Sequence, residues 1–443
     1  MCKLLPKSTR MEILGVMVSF WQRAAESLRR MESPRAAGTK FAREIDWTSA
    51  TSDRETVLCL DRSQFIKDIE ELRRFTELNW VTLNAVRLKN RQQDWVPPEL
   101  RQQGYISAWL RAERWQEVRA ILQEFGVALL REAMRRHRVD AVATANIDYW
   151  QDETMKLACT ALGVPFVVLC RENYTIPWTV PWMHDHLRKS NFHFEGAGLA
   201  VFSQATKDAF APGFDNPDDI WITGAPRYDR WLNLQSLPDD AKDHVSLITF
   251  NDPGYMAEAV FTEVARIFEH AARASKPSPL TWLVKCKKRG DRDEVLERLG
   301  QVDSTALQFE YDTPLFDLYP RSRAVVGYNS LALLEAMLTD APVVVPCWGE
   351  TKPPRKDVLL DYNDPLTRRV ISFAETPDAL ADLLQRAARG EQLHTGSPED
   401  RRALFKAHIH VPESGTASQA VERFIRDCIA RGQPVRAETK AAS

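Results

Sequence analysis

The segment Val325-Val-Gly-Tyr-Asn-Ser-Leu-Ala-Leu-Leu-Glu-Ala-Met-Leu-Thr-Asp-Ala-Pro-Val-Val-Val-Pro346 carries the most chemistry in the chain. It reads as strand, tight turn, helix and strand, and the turn falls at the strand's carboxyl end, where open α/β sheets bind ligands. Asn329 or Ser330 can cap the helix, and the N–H groups free at such an end suit a phosphate or diphosphate. Glu335 interrupts an otherwise apolar helix. A carboxylate there needs donors, which ribose or sugar hydroxyls would supply, as would a nearby Arg or Lys. Upstream, Lys285-Cys-Lys287-Lys288-Arg289 places four cations at another strand end, with Lys285 best positioned to neutralise phosphates. Lys288 and Arg289 read equally as solvated charge at the start of a helix.

These residues need a scaffold, and the alternation of short β-branched runs with helical patterns describes one. Strands are expected at 57–60, 81–83, 139–144, 165–170, 198–202 and 220–223, with helices at 64–75, at 106–137 as one long or two broken helices, and at 149–162, the last closed by Gly163. The polar stretch 233–244, with Pro238, fits a linker. The pattern then restarts, with strands at 245–250, 280–285, 307–311, 323–326 and 342–345 and helices at 255–274, 291–299, 314–320 and 331–338. A final helix opens with the capping-box pattern Thr416-Ala-Ser-Gln419 and lines up Ala417, Ala420, Val421, Phe424 and Cys428 as an apolar stripe fit to cross back to the first half. The fold class expected is α/β, two tandem Rossmann-like domains with a cleft between them. The divisions are an N-terminal extension at 1–50, a first domain at 51–235, a second at 244–412, and the returning helix and tail at 413–443.

Composition excludes several classes. With 443 residues the chain is too long for one core. Its 59 basic and 61 acidic residues leave a net charge of −2, so no global field favours nucleic acid. Seven scattered cysteines without a CxxC pair argue against a disulfide framework and a zinc ribbon, and a reducing cytoplasm is the natural compartment. The apolar patch within 11–31 is too short to span a bilayer and lacks a cleavage site. With Arg23, Arg29 and Arg30 beside it, it reads either as a frayed extension or as an amphipathic helix resting on a partner or on the inner membrane face. Gly196-Ala-Gly198 precedes a strand and lacks a third glycine, so it fails as a dinucleotide fingerprint, and P-loop, GxSxG and HExxH patterns are missing from the sequence.

The run Gly327-Tyr-Asn-Ser, Leu-Leu-Glu335-Ala, Pro342-Val-Val-Val-Pro and Trp348-Gly-Glu350 resembles the donor-side motif of bacterial surface and capsular polysaccharide glycosyltransferases of GT-B type. Thr223-Gly-Ala-Pro-Arg227-Tyr-Asp229 is similar to the G-x-P-R-x-D that closes their first domain, and 165–172 to a strand ending in R-E. Family members often carry K-x-H-P where this chain has Lys285-Cys-Lys287-Lys288, so the role of that histidine does not carry over. The resemblance implies a nucleotide-sugar donor on the second domain, with Tyr328, Asn329, Ser330, Glu335, Glu350, Lys285, Lys287 and Arg227 around it. It implies a glycan or lipid-linked acceptor on the first, without a cofactor or metal. The alternatives are a CDP-polyol phosphotransferase on the same fold and a non-catalytic glycan- or partner-binding scaffold.

Glycosyl transfer needs a base near the attacking hydroxyl, or a carboxylate beside an oxocarbenium-like centre. Asp61, Asp148 and Glu172 each follow a strand of the first half. Asp61 could simply turn the chain, and Asp148, with Gln151 three residues on, could cap a helix. Glu172, leading into a Pro/Trp-rich loop, is the least easily explained structurally. In that loop His184 and Trp182 are candidates for acceptor contacts, near His186, His193, Tyr174, Trp178 and Phe192. HxH alone is weak evidence for a metal.

Overall fold

A computed structural model describes residues 32–432, apart from 52, 64, 171–175, 235, 251–256, 276–278, 288–289, 302–303 and 353–357. Two six-stranded sheets organise them. The first contains β1 (Thr56–Asp61), β2 (Asn79–Asn84), β3 (Ala141–Thr144), β4 (Phe166–Leu169), β5 (Gly198–Val201) and β6 (Ile220–Ile222), in the order β2-β1-β3-β4-β5-β6. The second contains β7 (His244–Ile248), β8 (Thr281–Lys285), β9 (Gln308–Glu310), β10 (Ser322–Val326), β11 (Val343–Pro346) and β12 (Ile371–Ala374), in the order β12-β11-β10-β7-β8-β9. All pairings within these sheets are parallel. Helices cover both faces, so strands such as β3 and β11 are buried throughout and read as continuous apolar runs. These are two Rossmann-like domains in tandem, as expected. Strand order reverses between β1 and β3 in the first and between β7 and β10 in the second, and each reversal opens a crevice at the strands' carboxyl ends.

Local features differ from the expectation in several places, three of which bear on how the domains are held. β12 is a strand beyond those expected, and helices Pro365–Val370, Pro377–Ala388 and Pro398–His408 accompany it. The helix after β10 is Leu331–Ala336, shorter than 331–338. Its exit tightens through three-residue bonds from the Met337, Leu338 and Thr339 N–H groups, and the buried Arg401 collects the carbonyls of Ala336 (2.6 Å), Thr339 (2.9 Å) and Ala341 (2.7 Å). Residues 33–50, expected within an extension, pack onto the first domain. Helix Pro34–Phe41 presses Gly38 so close to helix Gln116–Arg136 that an added Cβ would lie 2.2 Å from the Phe125 carbonyl. Asp46 then pairs with Thr82 on β2. The apolar patch within 11–31 lies outside the described residues.

The chain's return to the first domain explains several motif residues. Helix Ala417–Arg431 opens with both bonds of the Thr416–Gln419 capping box and buries Val421, Phe424, Ile425 and Cys428 against Val57, Cys59, Ala141 and Val167. Asp229 receives the N–H groups of Ala417 (2.8 Å) and Ser418 (2.8 Å) and the Ser418 hydroxyl (2.6 Å), so the aspartate of the G-x-P-R-x-D run anchors this helix. Gly224 has φ +76°, and an added Cβ would lie 2.3 Å from the His410 carbonyl, where the returning chain passes. Gly198 likewise makes room for Phe424, which a Cβ would approach to 2.7 Å. Among the described residues no helix is long and apolar enough to cross a membrane, and the six described cysteines are buried.

Candidate functional site

A cavity of about 400 Å³ opens at the carboxyl ends of β7, β8, β9 and β10, astride the reversal point of the second sheet. Each strand end contributes to it: Thr249 and Phe250 after β7, Lys285 and Lys287 at β8, Tyr311 and Asp312 after β9, and Tyr328 and Ser330 after β10. Lys67, from helix Ile66–Phe75 that follows β1, reaches the same space from the first domain. The cavity therefore lies between the domains, with three lysines and two aspartates on its walls.

One of those aspartates is already committed. Asp291 is buried, and its Oδ2 accepts from the Thr249 hydroxyl (3.1 Å) and the Lys287 N–H (2.7 Å), which ties the ends of β7 and β8 together. Lys285 donates from Nζ to the Tyr311 carbonyl. Burial lowers its pKa, Glu310 opposes that shift, and the Lys67 ammonium adds to it. An anion entering between Lys67 and Lys285 would relieve that repulsion. Cys286 is held as a thiol, pushed up to about 12 by burial and by Asp291, so it is no nucleophile at neutral pH.

The expected nucleotide-side residues divide into two groups. Lys285, Lys287, Tyr328 and Ser330 line the cavity. Ser330 is the N-cap of helix Leu331–Ala336, its hydroxyl accepting from the Ala332 N–H at 3.3 Å. Asn329 does not take that cap. It turns the chain with φ 44° and accepts from the Leu359 N–H at 2.8 Å, a left-handed position that Asn tolerates. Glu350 accepts from the N–H groups of Ala259 (2.9 Å) and Val260 (3.3 Å) and so caps helix Glu258–Ala274. Arg227 grips the Asp68 carboxylate through Nε and Nη2, and its backbone N–H adds a third bond, fastening the turn Pro226–Tyr228 to helix Ile66–Phe75. Lys288 and Arg289 lie outside the described residues.

Glu335 lies beside Tyr228 of the first domain, close enough to Lys67 of the cavity wall for that charge to act on it. The Tyr228 hydroxyl stands 3.5 Å from its Oε1, and its buried Oε2 meets no donor among the described residues. Burial raises its pKa, while the nearby Lys67 and Arg227 pull it down. A half-satisfied buried carboxylate at a domain boundary is costly unless a further donor reaches it.

On the first domain the acids separate. Asp148 is no helix cap, because helix Glu153–Leu162 begins later and Asp152 holds that position. Asp148 instead pairs with the buried Lys156 (2.7 Å) and accepts from the Ser107 N–H (3.1 Å) and hydroxyl (2.7 Å). Asp61 ends β1, half-buried, with no donor to its carboxylate among the described residues. Glu172 and Tyr174 lie outside the described residues. His184 and Trp182 belong to helix Val180–Lys189 rather than to a loop. His184 Nε2 bonds the Asp208 carbonyl (2.8 Å), whereas Trp182 is 63% exposed and stacks on His186 at 5.4 Å. Among the described residues no His/Cys/Asp/Glu group could hold a metal. Lys67, Tyr311 and Asp312 are site residues the sequence reading missed.

No family model and no curated protein matches the chain. Solved structures with a similar course of the chain include HepE of Anabaena with UDP and glucose (14% identity, TM-score 0.45, covering 85% of this chain and 100% of that one). A glycosyltransferase of Rickettsia africae follows at 12% and 0.46, covering 85% and 99%. The UDP-GlcNAc 2-epimerase of Neisseria meningitidis bound to UDP-GlcNAc stands at 11% and 0.45, covering 85% and 100%. Likenesses this distant say nothing of what this chain binds, which must be argued from its own residues.

Proposed function

We propose that the chain is a glycosyltransferase that moves a sugar from a nucleotide-sugar donor to a cell-surface or capsular polysaccharide. The observation that carries this is the cavity at the reversal point of the second sheet, with Lys285, Lys287 and Lys67 converging on it from two domains. Three ammonium groups suit a diphosphate better than a neutral ligand. Tyr328, Tyr311 and Phe250 give the same space apolar walls for a base or sugar face. In this reading Ser330 lends its hydroxyl to the phosphates, and the open Oε2 of Glu335 accepts from a hydroxyl of the donor. Asp61 and Glu172 are the candidate bases on the acceptor side, since Asp148 is held by Lys156 and Ser107. Trp182, exposed and stacked on one face by His186, offers its other face to an acceptor sugar.

The test is titration calorimetry and thermal shift with UDP, CDP, GDP and CMP on the wild type and on Lys285→Met. One nucleoside diphosphate should stabilise the wild type, by about 2.7 kcal/mol at a hundredfold excess over its Kd. Lys285→Met should bind it roughly tenfold to a hundredfold more weakly. Silence from all four nucleotides would remove the donor site and with it the transferase reading. Stabilisation by a CDP-polyol but by no sugar nucleotide would shift the assignment to polyol-phosphate transfer.

A further inference from the structure

Strand order sets the cavity lining in a row: Tyr328 and Ser330 after β10, Thr249 and Phe250 after β7, Lys285 and Lys287 at β8, and residues 311–315 after the edge strand β9. Glu335, proposed to take a sugar hydroxyl, belongs to the helix that follows β10. A diphosphate held by Ser330 and the lysines of β8 therefore leaves the β9 end for the base. The segment there joins β9 to helix Leu315–Leu318 and carries no cation. It also has little backbone to offer. Lys285 donates from Nζ to the Tyr311 carbonyl, the N–H groups of Asp312 and Thr313 both donate to Glu310 Oε1 (2.8 Å each), and Pro314 has no N–H. What the segment brings to the cavity is apolar surface from Tyr311, Pro314 and Leu315 and the side chain of Asp312, whose carboxylate receives no hydrogen bond or ion pair from a described residue. Its charge acts on Lys285 from beyond ion-pair distance.

We infer that Asp312 selects guanine and that the donor is a GDP-linked sugar. An ionised carboxylate only accepts. Uracil presents one N–H between two carbonyls, and cytosine and adenine each present one amino group beside a ring nitrogen that also accepts, so a carboxylate facing any of these edges meets opposing lone pairs. The N–H groups of Asp312 and Thr313, which could have served those acceptors, are spent on Glu310. Guanine carries its ring N–H and its amino group side by side, and one carboxylate takes both as parallel charge-assisted bonds. Ribose hydroxyls are donors as well, but they are common to every nucleotide and give no selection among bases. The inference rests on the donor reading above and narrows it from a nucleotide sugar of any base to one.

The full chain and its Asp312→Asn variant are titrated calorimetrically with the diphosphates of guanosine, inosine, uridine, cytidine, adenosine and xanthosine. The wild type should bind GDP roughly a hundredfold more tightly than UDP, CDP or ADP, and about tenfold more tightly than the inosine nucleotide, which keeps the ring N–H but lacks the amino group. Asp312→Asn should lose roughly tenfold to a hundredfold in GDP affinity, keep its UDP affinity, and gain affinity for the xanthosine nucleotide, whose carbonyl accepts from the new amide where guanine has its amino group. The side chain is exposed, so the variant should melt with the wild type. UDP, CDP or ADP binding as tightly as GDP would overturn the inference and leave the donor site standing. Equal weakening of all six nucleotides by Asp312→Asn would assign the carboxylate to the ribose and overturn it likewise. Binding of none of the six would remove the donor site and the inference together.

Discussion

Arg227 resembles a ligand-binding arginine in sequence and is a brace in the structure, and Arg227→Met separates the two roles. Asp68 is only 1% exposed and receives three bonds from this one residue, two of them from the guanidinium. Methionine keeps the length and apolar body of the side chain but leaves the carboxylate buried with the backbone N–H as its remaining bond from that turn. Removing one partner of a buried pair costs about 3–5 kcal/mol, chiefly because the charge left behind has no compensation. Domain stabilities are only about 5–15 kcal/mol, so the melting point should fall by roughly 10 °C. Asp68→Asn in the same chain removes the stranded charge and should recover a large part of that loss, giving a coupling of about 2 kcal/mol in the double-mutant cycle. Calorimetric melts of the four proteins measure this, with nucleotide affinity titrated at a temperature where all are folded. A melting point unchanged in Arg227→Met, together with loss of nucleotide binding, would refute the brace and return Arg227 to the donor site.

Gly224→Ala forces a side chain into a left-handed position and against the His410 carbonyl, and should cost about 2–4 kcal/mol in urea unfolding. Burial holds His408 down to about 4, against an ordinary value of 6.5. Between those values the unfolded chain binds a proton that the native state refuses, so stability should fall by up to about 3 kcal/mol as pH drops from about 6.5 to about 4. Urea midpoints across that range should show the slope, and His408→Leu should reduce it, with the remainder due to His394, which burial also holds down to about 4. Glu335→Gln should weaken nucleotide-sugar affinity more than affinity for the bare nucleotide, as equilibrium titration with both ligands would show. Asp61→Asn should lower kcat by about a hundredfold with little change in donor KM in a product-formation assay, and unchanged kcat would leave Glu172 as the base.

The fold was legible because parallel strands buried on both faces announce themselves as unbroken apolar runs. Val343-Val-Val and Phe166-Val-Val-Leu could hardly be anything else. β12 was not legible for the opposite reason. Ile371-Ser-Phe-Ala is short, carries Ser372 and follows Arg368-Arg369, so its strand character comes from pairing with β11 rather than from its own composition. The capping box at Thr416 could be read locally, since both of its bonds join residues three apart. The Glu350 cap joins residues about ninety apart in the chain, and the Asp229 anchor almost two hundred, so nothing in local spacing distinguishes either acid from a ligand.

The same limit applies to the site itself. Lys285 and Ser330 were legible because each sits at the carboxyl end of a strand in one domain, where the ligand side of a doubly wound sheet must lie. Lys67 enters the cavity only because the first domain faces the second, and its exposed position in a helix of ordinary composition carries no mark of that. Yet among the described residues it is the one from the first domain on the cavity wall, and its charge reaches both Lys285 and Glu335. An anion bound between Lys67 and Lys285 would touch both domains at once and favour the geometry in which they face each other. The domain arrangement would then itself be part of the binding energy, a contribution that residue types and spacings within one chain segment cannot disclose.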